Sequence, residues 1–120
     1  MPKGQEQVQA TIALCQALAE GVRALPVAED AWKAEIVGRL ERVGQTLAGL
    51  EGRFFLRSKL CLPFAARCLR EAEGLQEILQ QLQSAPQDST RQRLGKALML
   101  LEGAVQALDE RSLMQGMAIT

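Results

Sequence analysis

The sequence predicts an all-α fold, an antiparallel up-down-up-down four-helix bundle. Three observations carry that expectation. The chain is rich in Ala, Leu, Gln and Glu but holds three Phe, one Trp and no Tyr, so helix formers abound and the aromatic residues that strands favour are scarce. Apolar residues return every three or four positions through four stretches of roughly 20 residues each, the period of a helix with one buried face. The punctuation between the stretches is brief, and short links join antiparallel neighbours. At 120 residues the chain is long enough to bury a core without disulfides or metal. One domain spanning 1–120 is expected, with 1–4 and 112–120 as candidate flexible or docking tails.

The first helix is expected from about Gly4 to Leu25. Val8, Thr11, Cys15, Leu18, Val22 and Leu25 form its stripe, and Pro26 then ends it, because a proline ring does not fit a helix interior. The second is expected over Val27 to Glu51, buried through Trp32, Ile36, Leu40, Val43, Leu47 and Leu50. Glu29–Lys33 and Glu35–Arg39 stand four apart in the order that supports an exposed helix face. The next stretch, Arg53 to Leu62, has no clear period; Pro63 either kinks a long third helix or starts it. From Pro63 to Gln83 the stripe is Ala65, Cys68, Ala72, Leu75, Leu79 and Leu82, followed by the loop Ser84-Ala85-Pro86-Gln87-Asp88. Ser89-Thr90-Arg91-Gln92 has the form of a capping box. It opens a fourth helix to about Arg111, buried through Leu94, Leu98, Leu101, Val105 and Leu108. Beyond it, Leu113, Met114, Met117 and Ile119 are too apolar for a plain solvent tail. They either pack back on the bundle or dock onto another chain, and packing back is the commoner outcome.

Helix two carries Gly38, Gly44, Gly49 and Gly52, although a glycine inside a helix costs about 1 kcal/mol against alanine. Gly52 suits a left-handed C-terminal cap. Gly38 and Gly49 project opposite the buried stripe, with Ala34, Gln45 and Arg42 beside them. This small-residue back is a candidate homo-oligomer face: Ala34, Gly38, Arg42, Gln45 and Gly49. The competing reading is glycine tolerated at a solvent surface.

The sharpest asymmetry lies in RFFLRSKLCLPFAARCLR, Arg53 to Arg70. It holds five cations (Arg53, Arg57, Lys59, Arg67 and Arg70), all three phenylalanines and no acid. Because the whole chain is neutral, the remainder carries a formal charge of −5. One reading is a helix junction, with Phe and Leu in the core and cationic stems over its rim. Another is a docking site for an acidic protein surface, with Arg53, Phe54, Phe55, Arg57, Lys59, Arg67 and Arg70 as the partner-binding set. A third uses the same groups against anionic lipid. Nucleic acid is disfavoured as a partner, since there is no wide basic field and no recognisable module.

Chemistry is constrained by what is missing. Without a single His the usual general base is gone, as are haem ligation by His and the Glu-x-x-His di-iron pattern. Three cysteines without histidine make a poor zinc site. Cys15 and Cys68 fall within apolar stripes and read as core residues, while Cys61 sits beside the basic patch, where a lipid could be attached. Arg67–Glu71 and Arg70–Glu73 read as surface helix pairs. No catalytic, cofactor or metal residue is assigned and no cofactor is expected. A polar start, MPKGQEQVQ, and an odd cysteine count predict a cytoplasmic protein, with the nucleus as the alternative compartment. The expected function is a non-catalytic protein–protein interaction module: an adaptor, a chaperone-like binder or an assembly subunit. The alternative is a membrane-active helical bundle using the same patch.

Overall fold

In the computed structural model the described residues are 3–26, 29–85 and 87–119, with side chains as far as Met114. Four helices account for nearly all of them: α1 (Lys3–Arg23), α2 (Asp30–Leu50), α3 (Leu62–Ser84) and α4 (Asp88–Ile119). No strand occurs among the described residues. The fold is the expected four-helix bundle. Each apolar stripe named from the sequence is buried, with Trp32 alone half-covered at the start of α2. One core results, closed at its tightest by Leu47, Leu50, Leu98, Leu101 and Leu108, none more than 1 % exposed.

Chain direction alternates from helix to helix, but sequence neighbours are not always space neighbours. α1 packs on α2 and α3, and α4 packs on α3 and α2, so α2 and α3 stand on a diagonal. The side-by-side pairs α1/α3 and α2/α4 are therefore parallel. Gly21 meets Leu79 at one end of α1/α3 and Gly4 meets Cys61 at the other. The diagonal arises because the link between α2 and α3 crosses one end of the bundle instead of turning tightly.

That link replaces the unclear stretch of the sequence. Gly52, at φ +83°, ends α2 in the left-handed region where only glycine is unstrained. Two 3₁₀ turns follow, Phe54–Arg57 and Lys59–Cys61. Their backbone groups are satisfied locally: Leu56 N–H donates to Arg53 O, Ser58 N–H to Phe55 O and Cys61 N–H to Ser58 O, at 3.0–3.2 Å. The Ser58 hydroxyl accepts from Leu60 N–H at 3.1 Å. Pro63 falls in the first turn of α3, where its missing N–H leaves no bond unmade. It starts the third helix; it does not kink it.

Several local expectations give way to tertiary contacts. Arg39 does not close on Glu35. It forks across to Glu102 on α4, Nε to Oε2 at 3.1 Å and Nη2 to Oε1 at 2.6 Å. This bond, with smaller help from the charges of Glu102 and Glu35, holds the guanidinium pKa above its usual value. Lys33 donates to the carbonyl of Arg23 at 3.4 Å. The capping box does not form: α4 starts at Asp88, with Gln87 O accepting the first helical bond from Arg91 N–H at 3.1 Å. Thr90 is instead buried, and Asp88 pairs with Arg91.

The expected tails also differ. Lys3 and Gly4 already belong to α1, and Gly4 is buried against the link. At the other end α4 continues to Ile119, 32 residues against 21–23 in the other helices. Arg53 meets α4 at Asp109 and Ser112, so the following residues run past that end of the bundle. Leu113 and Met114 do not pack back; they are 51 % and 58 % exposed. The side chains of Met117 and Ile119 lie outside the described residues, as do Met1, Pro2, Val27, Ala28, Pro86 and Thr120.

Candidate functional site

The basic, Phe-containing segment forms the end of the bundle where α2 stops, α3 starts and α4 protrudes. Its residues separate into two groups. Phe55 is not available to a partner. It is 2 % exposed and, with Leu56, plugs the open end of the core. Its ring lies 6.4 Å from that of Phe64, tilted by 58°, a spacing at which aromatic pairs attract. Arg53 is likewise committed within the chain, its Nη1 donating to Asp109 Oδ1 at 3.2 Å and to Ser112 Oγ at 3.4 Å. It fastens the link to α4. Burial corrects the assignment of Phe55 to a partner-binding set, while Arg53, its side chain 38 % exposed, also holds the junction together.

The second group faces outward. Phe54 is 67 % exposed and Leu60 61 %, and Arg57 and Lys59 are exposed between them in sequence. Among the described residues, Arg57, Lys59, Arg67 and Arg70 close no ion pair; the surface pairs Arg67–Glu71 and Arg70–Glu73 do not form. Arg67 and Arg70 sit farther up α3, roughly 8 and 12 Å from its start by the helical rise, so the structure does not gather all five cations at one spot. Sequence reasoning did not single out Leu60, and it gave Leu113 and Met114 only as a tail that packs back or docks onto another chain. It also missed Arg111, whose guanidinium carbon lies 5.9 Å from the centre of the Phe64 ring. The signal for α4 was its unbroken helical composition past Arg111, which carries its apolar residues beyond the core they would otherwise join.

The small-residue back of α2 is open. A Cβ added at Gly38 or Gly49 would meet nothing within 4 Å. Ala34, Gly38 and Gly49 run along its crest. Gln45 borders a furrow of about 380 Å³ between α1 and α2, and Arg42 borders one of about 260 Å³ between α2 and α4. No large apolar side chain stands on this crest.

All three thiols are buried. Desolvation raises the Cys15 pKa to about 11 and that of Cys68 to about 12. Burial also pushes Cys61 up, and its Sγ–H donates to Leu56 O at 3.5 Å. Attachment of a lipid to Cys61 is therefore not compatible with the folded end of the bundle. At pH 8 an aromatic disulfide reagent is expected to leave all three thiols unmodified until denaturant is added, a loss of thiolate of about 100-fold at Cys15. A thiol that reacts fast in the native chain would contradict this burial. Unfolded thiols lose their protons near the ordinary value of 9.0, whereas the folded ones hold theirs. Stability is thus full below pH 9 and falls as pH rises toward 11 and 12, because only the unfolded chain releases protons there. Urea midpoints measured from pH 8 to 11 check the sign.

Among the described residues no group of three His, Cys, Asp or Glu could hold a metal ion, and no helix is long and apolar enough to cross a membrane. The exposed end presents apolar side chains, Phe54 and Leu60, and unpaired cations, Arg57 and Lys59, on one short link. No protein-family pattern, curated protein or solved structure matches the chain.

Proposed function

We propose that this chain is a non-catalytic protein–protein interaction module that engages an acidic partner surface with the end of the bundle around residues 53–70. The observation that carries the reading is the exposure of four large apolar side chains, Phe54, Leu60, Leu113 and Met114, each more than half open to solvent, on the link and the protruding end of α4. The four stand at the same end of the bundle, and large apolar groups exposed together mark interaction sites. Arg57 and Lys59 supply positive charge on the same link, and Arg67 and Arg70 continue it up α3. Partner carboxylates meet these cations while Phe54 anchors the apolar centre.

The test is affinity capture by the intact chain, by the double variant Arg57→Glu/Lys59→Glu and by Phe54→Ser. Both variants are expected to lose the captured partner while keeping the thermal midpoint, since surface changes of this kind move stability by no more than about 0.5 kcal/mol. Capture that survives both variants sinks the reading. Parallel sedimentation with vesicles, with and without anionic lipid, addresses the lipid alternative. Pelleting that requires anionic lipid and is lost in Arg57→Glu/Lys59→Glu would transfer the role of this surface to a membrane.

A further inference from the structure

The solvent-facing back of α4 has a pattern of its own, independent of the end of the bundle. Met99 is 64 % exposed and Leu100 53 %, in mid-helix, where neither the core nor the link can cover them. At about 100° per residue, Gly103 lies diametrically opposite the buried stripe of Leu94, Leu98, Leu101, Val105 and Leu108. A Cβ placed there would meet nothing within 4 Å. Lys96 stands seven residues before Gly103 and Glu110 seven residues after it, on the same line. Among the described residues neither closes an ion pair; Glu110 only accepts from Gln106 Nε2, one turn away, at 3.1 Å.

We infer that this face is a homodimer interface, occupied by a second copy of the chain with the two α4 helices antiparallel and crossing at Gly103. Charge and shape are complementary about a single point. A twofold axis beside Gly103 sets residue 103 − n against residue 103 + n of the other copy. Lys96 then faces Glu110 of the partner subunit, and Glu110 faces Lys96 of the partner subunit, two equivalent ion pairs. Met99 faces Ala107 of the partner subunit, a large side chain over a small one, and the exposed Leu100 faces Gln106 of the partner subunit. Glycine at the crossing lets the axes approach more closely than the 8–10 Å usual for helix pairs. A face that is its own complement under a twofold is what an isologous dimer requires. The link lacks this property, because its unpaired charges, Arg57 and Lys59, are of one sign. The crest of α2 lacks the apolar side chains. A single-helix seam is small by the standard of stable interfaces, so the dimer is weak and depends on concentration.

Sedimentation velocity of the full chain over about 5–500 µM tests the inference. The expected result is a mass that rises from that of the 13.1 kDa chain toward twice that value. Lys96→Glu places two acids opposite two acids, and Glu110→Lys places two cations opposite two cations. Each single variant is expected to weaken association by at least about ten-fold. Mixing the two variants restores every pair, and the mixture is expected to dimerise at least as well as the native chain. Gly103→Gln, which holds the helices apart, is expected to remain monomeric with a thermal midpoint no lower than that of the native chain. A native chain that stays monomeric at the highest concentration overturns the inference. A dimer indifferent to these charges also overturns it, whether its interface is then lost with Phe54→Ser or with Gly38→Gln.

Discussion

Replacing Phe55 with alanine is expected to lower the thermal midpoint by about 12–20 °C, and replacing Phe54 by no more than about 2 °C. Emptying a buried Phe site costs about 3–5 kcal/mol, and each kcal/mol moves the midpoint of a chain of this size by about 4 °C. Two adjacent, identical side chains thus play opposite parts. Phe55 closes the core against Phe64, while Phe54 is 67 % exposed. Loss of about 4 kcal/mol is a large share of the 5–15 kcal/mol that holds a domain folded, so Phe55→Ala should also increase thiol reactivity at neighbouring Cys61. Midpoints from circular dichroism decide the matter. Equal losses at the two positions would place both rings in the core and remove the apolar anchor from the proposed docking surface.

Gly4→Ala is expected to destabilise the chain by about 1–3 kcal/mol, the usual range for forcing atoms into a packed site, whereas Gly38→Ala is expected to stabilise it by about 0.5–1 kcal/mol. A Cβ at Gly4 would fall 2.8 Å from the carbonyl oxygen of Leu56 and closer still to Cys61 Sγ. One obstacle is backbone and the other a buried thiol, so neither yields easily. At Gly38 there is only solvent within 4 Å, and alanine gains its full advantage as a helix former. Urea unfolding of both variants reads the signs directly. A stabilised Gly4→Ala chain would show that α1 does not dock on the link as described.

The comparison of these glycines marks how far the sequence could be read. Helical period exposes Gly38 and Gly49 as outward-facing, because the angle per residue is fixed by local geometry. Nothing in the neighbourhood of Gly4 announces a contact with residues 56 and 61, since that contact depends on how a distant link folds over the end of α1. The same division holds for charge. Glu35 and Arg39 are correctly spaced for a local pair, yet a bidentate partner on α4 binds Arg39 better than a single exposed neighbour. Arg53 reads as one of five free cations until the bundle places Asp109 and Ser112 beside it. Phe54 and Phe55 are indistinguishable in sequence because a 3₁₀ turn has no long apolar period to separate inside from outside.

The sequence by itself determined that four helices form, which face of each is buried and that the thiols of Cys15 and Cys68 lie inside. These are consequences of a repeat of 3.6 residues acting on side chains that avoid water, and both terms are local. Only the tertiary structure decided that α2 and α3 lie on a diagonal, which cations stay unpaired and which phenylalanine remains outside. Each of those depends on contacts between residues far apart in the chain, where several pairings are locally acceptable and the packed core selects one.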